Sequence, residues 1–250
     1  MSSSAMGHFE SEIGKDLLHL ACRHHVYELV LEGAFEQALS HANSPDIHPL
    51  FLKFLNFWKQ IDQGKFITLG RAALRRFPGN PDEVIEFCTN QLKVIQPRDD
   101  YKEFLQLTII FLGGIPPGGI SFRKPGALNK TRWMARAVYA LKMYMFQKQY
   151  PFTRAEKKGL EDICIFVSAA YVKFWFECPS ATMAPLNDLE FLKLLKRYES
   201  FTGAWSAALT KLMSHLRYLS ADLAPLALYD NRVPTSVKKD MIKNNVKGWG

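Results

Sequence analysis

Bulky apolar side chains recur every three or four positions along most of this chain, with polar residues between them. That spacing is the pattern of helices that bury one face. Between Phe9 and Leu39 it predicts one or two helices, with Leu18, Cys22, His25 and Leu29 sharing a face. Ile47 to Ile61 repeats Leu50, Phe51, Phe54, Leu55 and Trp58 at helical spacing. Phe66 to Phe77 reads as a short basic helix carrying Arg71, Arg75 and Arg76, stopped by Pro78-Gly79-Asn80-Pro81. Asp82 is the expected start of the next helix, to about Lys93.

Further along, Asp99 and Asp100 suit a helix start by capping and by complementing the dipole. Phe104, Leu105, Thr108, Ile109 and Leu112 give that helix its apolar side, and Gly113 ends it. A Gly/Pro-rich loop follows, too rich in breakers for regular structure. It delivers the chain to a helix from Lys130 to Gln149, with Trp133, Ala137, Leu141 and Met145 aligned. Thr153-Arg154-Ala155-Glu156 is a capping box, opening a helix to about Phe176. Asn187-Asp188-Leu189-Glu190 reads as another cap, for a helix to Tyr198. Ala204 to Leu219 is a further amphipathic helix, which Ala221 to Tyr229 extends after a break. The basic tail beyond Pro234 is expected to fray. At most, a few residues of Ile115 to Phe122 form an extended edge.

The expected fold is therefore all-α, a compact domain of about eight to ten helices with one long Gly/Pro-rich loop. Met1 to Gly7 reads as a cloning remnant. The loop, 114–126, divides an N-terminal helical half, 8–113, from a C-terminal half, 127–230, with a tail at 231–250. Helices on both sides can share one core.

Composition narrows the classes. Of 250 residues, 48% are hydrophobic, which excludes wholesale disorder. The net charge of +8 favours an acidic partner, most simply nucleic acid, although many soluble proteins carry such an excess with none. Cys22, Cys88, Cys164 and Cys178 include no CxxC pair, which points to a reducing compartment, nuclear or cytoplasmic. No signal peptide is recognisable. The longest apolar run, Ile163 to Phe176, is broken by Lys173 and is shorter than the roughly 20 residues of a membrane span.

Candidate chemistry is sparse. Cys22 and His25 form a CxxH, half a zinc site if on one helix face, but no second half is apparent; a buried helix interface is the plainer reading. Asp46, Asp62, Glu161, Asp162, Asp188 and Glu190 lie nearest apolar segments, and a two-metal site needs several such groups to converge. Capping accounts for Asp188 and Glu190, and a solvated face for Glu161 and Asp162. There is no GxSxG, P-loop or HExxH. Gly113 to Gly119 is no phosphate cradle, because Pro116 and Pro117 supply no amide donors. Lys130, Arg132, Trp133 and Arg136 sit where the loop enters its helix. They suit a polyanion with a stackable base, or equally a core tryptophan beside solvated arginines. Arg71, Arg75 and Arg76 form a second basic group. No cofactor and no small-molecule substrate are indicated.

Several motifs together carry a resemblance: Leu20-Ala21-Cys22-Arg23-His24-His25, Phe111-Leu112-Gly113-Gly114, Pro125-Gly126-Ala127 followed by Arg132-Trp133-Met134-Ala135, Ala184 to Leu189, and His215 to Ser220. They resemble a repetitive, mobile-element-derived family of arthropod and cnidarian genomes. That family is similar to hAT-type cut-and-paste transposases, whose RNase H-like core is interrupted by a helical insertion. The resemblance implies that Cys22 and His25 match the hAT CxxH, and Arg132 and Trp133 the Arg-Trp pair, whose tryptophan assists DNA distortion. It places the catalytic aspartates upstream of Cys22 and leaves the late glutamate unassigned between Glu161 and Glu190. Asn129 stands where relatives carry His. The resulting expectation is a non-catalytic, transposase-derived helical domain that binds duplex or hairpin DNA and self-associates as a homodimer. The alternative is a helical protein-interaction module with no nucleic-acid role.

Overall fold

A computed structural model describes residues 12–14, 22–39, 49–126 and 133–246 of the chain. Among them the regular elements are all helical: α1 (Arg23–Leu39), α2 (Pro49–Phe57), α3 (Arg71–Leu74), α4 (Pro81–Gln91), α5 (Asp99–Phe111), α6 (Trp133–Met145), α7 (Arg154–Phe166), α8 (Val172–Phe176), α9 (Ala184–Arg197), α10 (Gly203–Met213) and α11 (Thr235–Val246). No described residue is in a strand, so the extended edge expected within Ile115 to Phe122 does not form. No described helix is long and apolar enough to cross a membrane.

α6 lies at the centre. From Met134 to Phe146 nearly every side chain is buried, because α5 and α7 pack against it. On α1, Val26, Tyr27, Val30, Leu31, Ala34 and Phe35 point inward at the spacing of one helix face. α1 lies along α10, where two glycines let the backbones close up: a Cβ on Gly33 would stand 2.6 Å from Lys211 Cγ, and one on Gly203 2.9 Å from Gln37 Cγ. Residues on both sides of the Gly/Pro loop contribute to the same apolar cluster, Phe54 and Phe104 from one side and Phe146, Phe166 and Trp205 from the other.

The loop is pinned. α5 ends in a Schellman arrangement: Gly113 (φ 94°) donates its N–H to Ile110 O, and Gly114 donates to Ile109 O. Further on, Phe122 packs on Phe146 with centroids 4.8 Å apart. The buried Lys142 ammonium donates to Arg123 O at 2.8 Å, and the Tyr139 hydroxyl donates to Gly126 O. Lys142 is balanced by Glu103 at 2.6 Å. Burial holds its pKa below the ordinary value, with Glu103 opposing that shift.

Several boundaries differ from the sequence reading. The basic helix is confined to Arg71–Leu74; Phe66 to Gly70 is irregular and bonds to the ends of α5 and α6, Leu69 N to Phe111 O at 2.7 Å and Ile67 N to Met145 O at 2.8 Å. α4 is capped by Asn80, whose side chain accepts from the Asp82 amide, and Asp82 sits in the first turn. Arg98, with no side-chain cap, precedes α5; Asp99 and Asp100 sit in the first turn and pair with Arg123 and Arg98 instead of capping the helix. The Thr153–Glu156 capping box is present in full. The helix it opens runs on to Phe176 through a π-helical stretch, Val167–Tyr171. α10 stops at Met213, and the chain beyond it is 3₁₀ at Arg217–Leu219 and Ala224–Tyr229. The segment after Pro234, expected to fray, forms α11.

The clearest correction concerns Asn187 and Asp188. They are not a cap: α9 begins at Ala184 with Pro185 in its first turn, and both residues are buried inside the helix.

Candidate nucleic-acid interface

The CxxH segment opens α1, but its chemistry is inverted relative to the sequence reading. Cys22 and His25 are exposed, the His25 side chain at 69%, rather than buried at a helix interface. His25 lies 3.8 Å from Glu28. The residues between them face inward. The Arg23 Nε donates to Asp188 Oδ1 at 2.8 Å, and its Nη2 donates to Phe174 O at 3.0 Å. The Tyr27 hydroxyl donates to the same Asp188 oxygen at 3.1 Å, and Asn187 Nδ2 donates to Phe174 O at 3.2 Å. His24 stacks on Trp175 with centroids 4.2 Å apart. Burial, reinforced by the Arg23 charge, lowers its pKa from the ordinary histidine value.

This network ties α1 to α8 and α9. Phe174 O belongs to the last turn of α8, where carbonyls lose their helical partners, and the guanidinium supplies one. Neither charge reaches solvent: the side chains are 8% and 5% exposed. Such an arrangement is a structural clamp. Among the described residues, no three His, Cys, Asp or Glu side chains gather in a way that could hold a metal.

The other carboxylates are dispersed. Asp62 accepts from the Gly64 amide and pairs with Lys65, which lowers its pKa. Glu161 faces Arg76, Asp162 pairs with Lys158, and Glu190 pairs with Lys193. Asp46 lies outside the described residues.

Of the basic groups, Lys130 and Arg132 also fall outside the described residues, and so does the side chain of Trp133, which opens α6. Arg136 is half-buried and looks toward Glu32 and Glu36 of α1; burial lowers its pKa and those carboxylates oppose the shift. Its charge is therefore partly compensated from within.

Arg71, Arg75 and Arg76 differ. All three are exposed, Arg71 at the start of α3 and Arg75 and Arg76 in the turn that follows it. The segment is linked to α7 by Arg76, whose Nη2 lies 3.7 Å from Glu161. α7 adds Arg154, Lys157 and Lys158, all exposed near its start, and Lys157 shares the face of Glu161 one turn on. Arg71, Arg75, Arg154 and Lys157 have no acidic partner among the described residues. Sequence reading found the α3 arginines but missed the α7 group, since the fold alone brings the two helices together.

No protein-family model matches this chain, and no match was found among curated proteins or solved structures.

Proposed function

We propose that the chain is a non-catalytic helical domain of transposase-derived type that binds DNA through the phosphate backbone. The observation that carries this reading is the exposed cationic face of α3 and α7, with Arg71, Arg75, Arg154 and Lys157 lacking acidic partners among the described residues. Charges carried on packed helices can displace condensed counterions from a duplex without ordering the backbone that holds them. The net charge of +8 supports the same reading. Arg136 is not part of the proposed contact. Arg132 and Trp133 stay in it on the strength of the sequence resemblance, and Lys130 on its charge beside them.

The contacts available are of the kind that position a duplex; they carry no base readout. Binding should therefore depend strongly on salt and weakly on sequence. Titrating labelled duplex and hairpin DNA with the full chain, by fluorescence anisotropy at several salt concentrations, tests this. Absence of salt-sensitive binding refutes it. A second reading, a protein-interaction module, draws on Val94 and Ile95, which stand 62% and 95% exposed in the turn between α4 and α5.

A further inference from the structure

A cleft of about 280 Å³ opens between the start of α4, the π-helical turn, α8 and α9. Its floor is apolar, built from Val84, Phe87, Ala169, Phe174 and Leu194. Its rim carries Glu83 on the α4 side and Lys173 and Glu177 on the α8 side. The π-helical stretch matters to its shape. Insertion of a wider turn displaces the wall, and such turns recur at binding sites.

Phe174 is the fixed point of the floor. Its ring stacks on Phe191 at 4.7 Å, and its carbonyl is held from behind by Arg23 and Asn187. The cleft is thus preformed, and a ligand entering it need not order the walls.

The rim has a definite charge. Arg23 and Arg232, the guanidiniums nearest Glu177, are each taken by another carboxylate, Asp188 and Asp230. Lys173 is half-exposed and stands 3.7 Å from Glu177, too far for a close hydrogen bond. Among the described residues, the side-chain partner of Glu83 is the Asn80 amide at 3.3 Å. Two carboxylates face one loosely held lysine over an aromatic and aliphatic floor, in a protein whose total charge is strongly positive. Burial raises the Glu177 pKa, and Lys173, Arg232 and Arg23 oppose that shift.

We propose that this cleft binds a small molecule with an aromatic or branched apolar body and one positively charged nitrogen, an arylalkylamine in chemical class. The body fills the space over Phe87 and Phe174, and the ammonium lies between Glu83 and Glu177. This inference is independent of the DNA reading.

The probe is 2-phenylethylamine, with 3-phenylpropionate as a body of similar shape and opposite charge. Binding to the full chain is followed by amide chemical-shift changes. The amine is expected to give saturable shifts and the acid to bind roughly tenfold more weakly or worse, as loss of a charge-assisted contact implies. Glu83→Gln with Glu177→Gln should weaken the amine by roughly tenfold and leave the fold intact, since both carboxylates are on the rim. Val84→Trp should fill the cleft and abolish binding. Arg71→Ala with Arg75→Ala should leave amine binding unchanged, which separates a failure here from a failure of DNA binding. The proposal is overturned if no saturable shift appears by about 10 mM amine. It is also overturned if amine and acid bind alike, or if the double glutamine variant binds as the parent does.

Discussion

Arg23 and Asp188 stand 165 positions apart in sequence and 2.8 Å apart in space. Each is buried, and each is the principal partner of the other. Removing either one leaves an uncompensated charge inside the protein. Arg23→Ala or Asp188→Ala should therefore lower stability by about 3–5 kcal/mol in urea unfolding. Replacing both, as Arg23→Met with Asp188→Leu, should recover most of that loss. A single variant that costs less than about 1 kcal/mol would show that the pair is in water's reach.

The π-helical stretch and α8 bury polar atoms that lack partners among the described residues: Ser168 Oγ, Tyr171 OH and Trp175 Nε1. Tyr171 and Trp175 meet the aromatic cluster of Tyr27, Tyr101 and Phe104. A hydroxyl with no partner costs its desolvation and returns nothing. Tyr171→Phe should thus leave the urea midpoint unchanged or raise stability by about 1 kcal/mol. A loss of more than about 1 kcal/mol would reveal a partner for that hydroxyl.

Gly159 is a packing glycine. A Cβ there would lie 2.1 Å from Ala38 O and 2.8 Å from Leu39 Cδ2, where α7 crosses the end of α1. On propensity alone, Gly159→Ala gains about 1 kcal/mol within a helix. The clash should reverse the sign and destabilise by about 1–3 kcal/mol in thermal or urea unfolding. Gly126→Ala, where an added Cβ meets nothing within 4 Å, should stay within about 0.5 kcal/mol of the parent.

Arg232 grips Asp230 with two guanidinium nitrogens and donates to Met183 O at 3.0 Å, tying the segment before α11 to the start of α9. Those hydrogen bonds hold the Asp230 carboxyl below its ordinary 3.8. The unfolded chain takes up that proton first on acidification, so this contribution is complete above pH 3.8 and is lost as pH falls through the lower native value. The stability difference between the parent and Asp230→Asn should accordingly shrink as pH drops below 3.8 and stay constant from there to neutrality. A difference that does not change with pH would contradict the ion pair.

Local signals in the sequence were readable where the chemistry is local. The Thr153–Glu156 box needs only four consecutive residues, and it is present. Gly113 ends α5 because a positive φ there completes the Schellman bonds. The misreadings arise from partners far along the chain. Asn187-Asp188-Leu189-Glu190 has the residue order of a cap, yet Asp188 is buried because Arg23 arrives from the other end of the protein. Ala184-Pro185 was the truer start signal, since proline fits the first helical turn. On α1, placing Cys22 and His25 inward shifted the helix face by one residue. Val26, Tyr27, Val30, Leu31 and Ala34 define the buried face, and they bring Arg23 inward with them. The α3–α7 basic face had one legible half, the arginine run; the α7 cations became part of it only through the contact of Arg76 with Glu161.

The central claim, DNA binding through that face, is tested most directly by the slope of log Kd against log salt concentration. It should be measured for the parent chain and for Arg71→Ala, Arg75→Ala, Arg76→Ala combined. The parent should bind duplex DNA more weakly as salt rises, and the triple variant should bind more weakly throughout, with the slope reduced by about 2–3. Equal slopes for the two proteins, or no binding by the parent at low salt, would contradict the account.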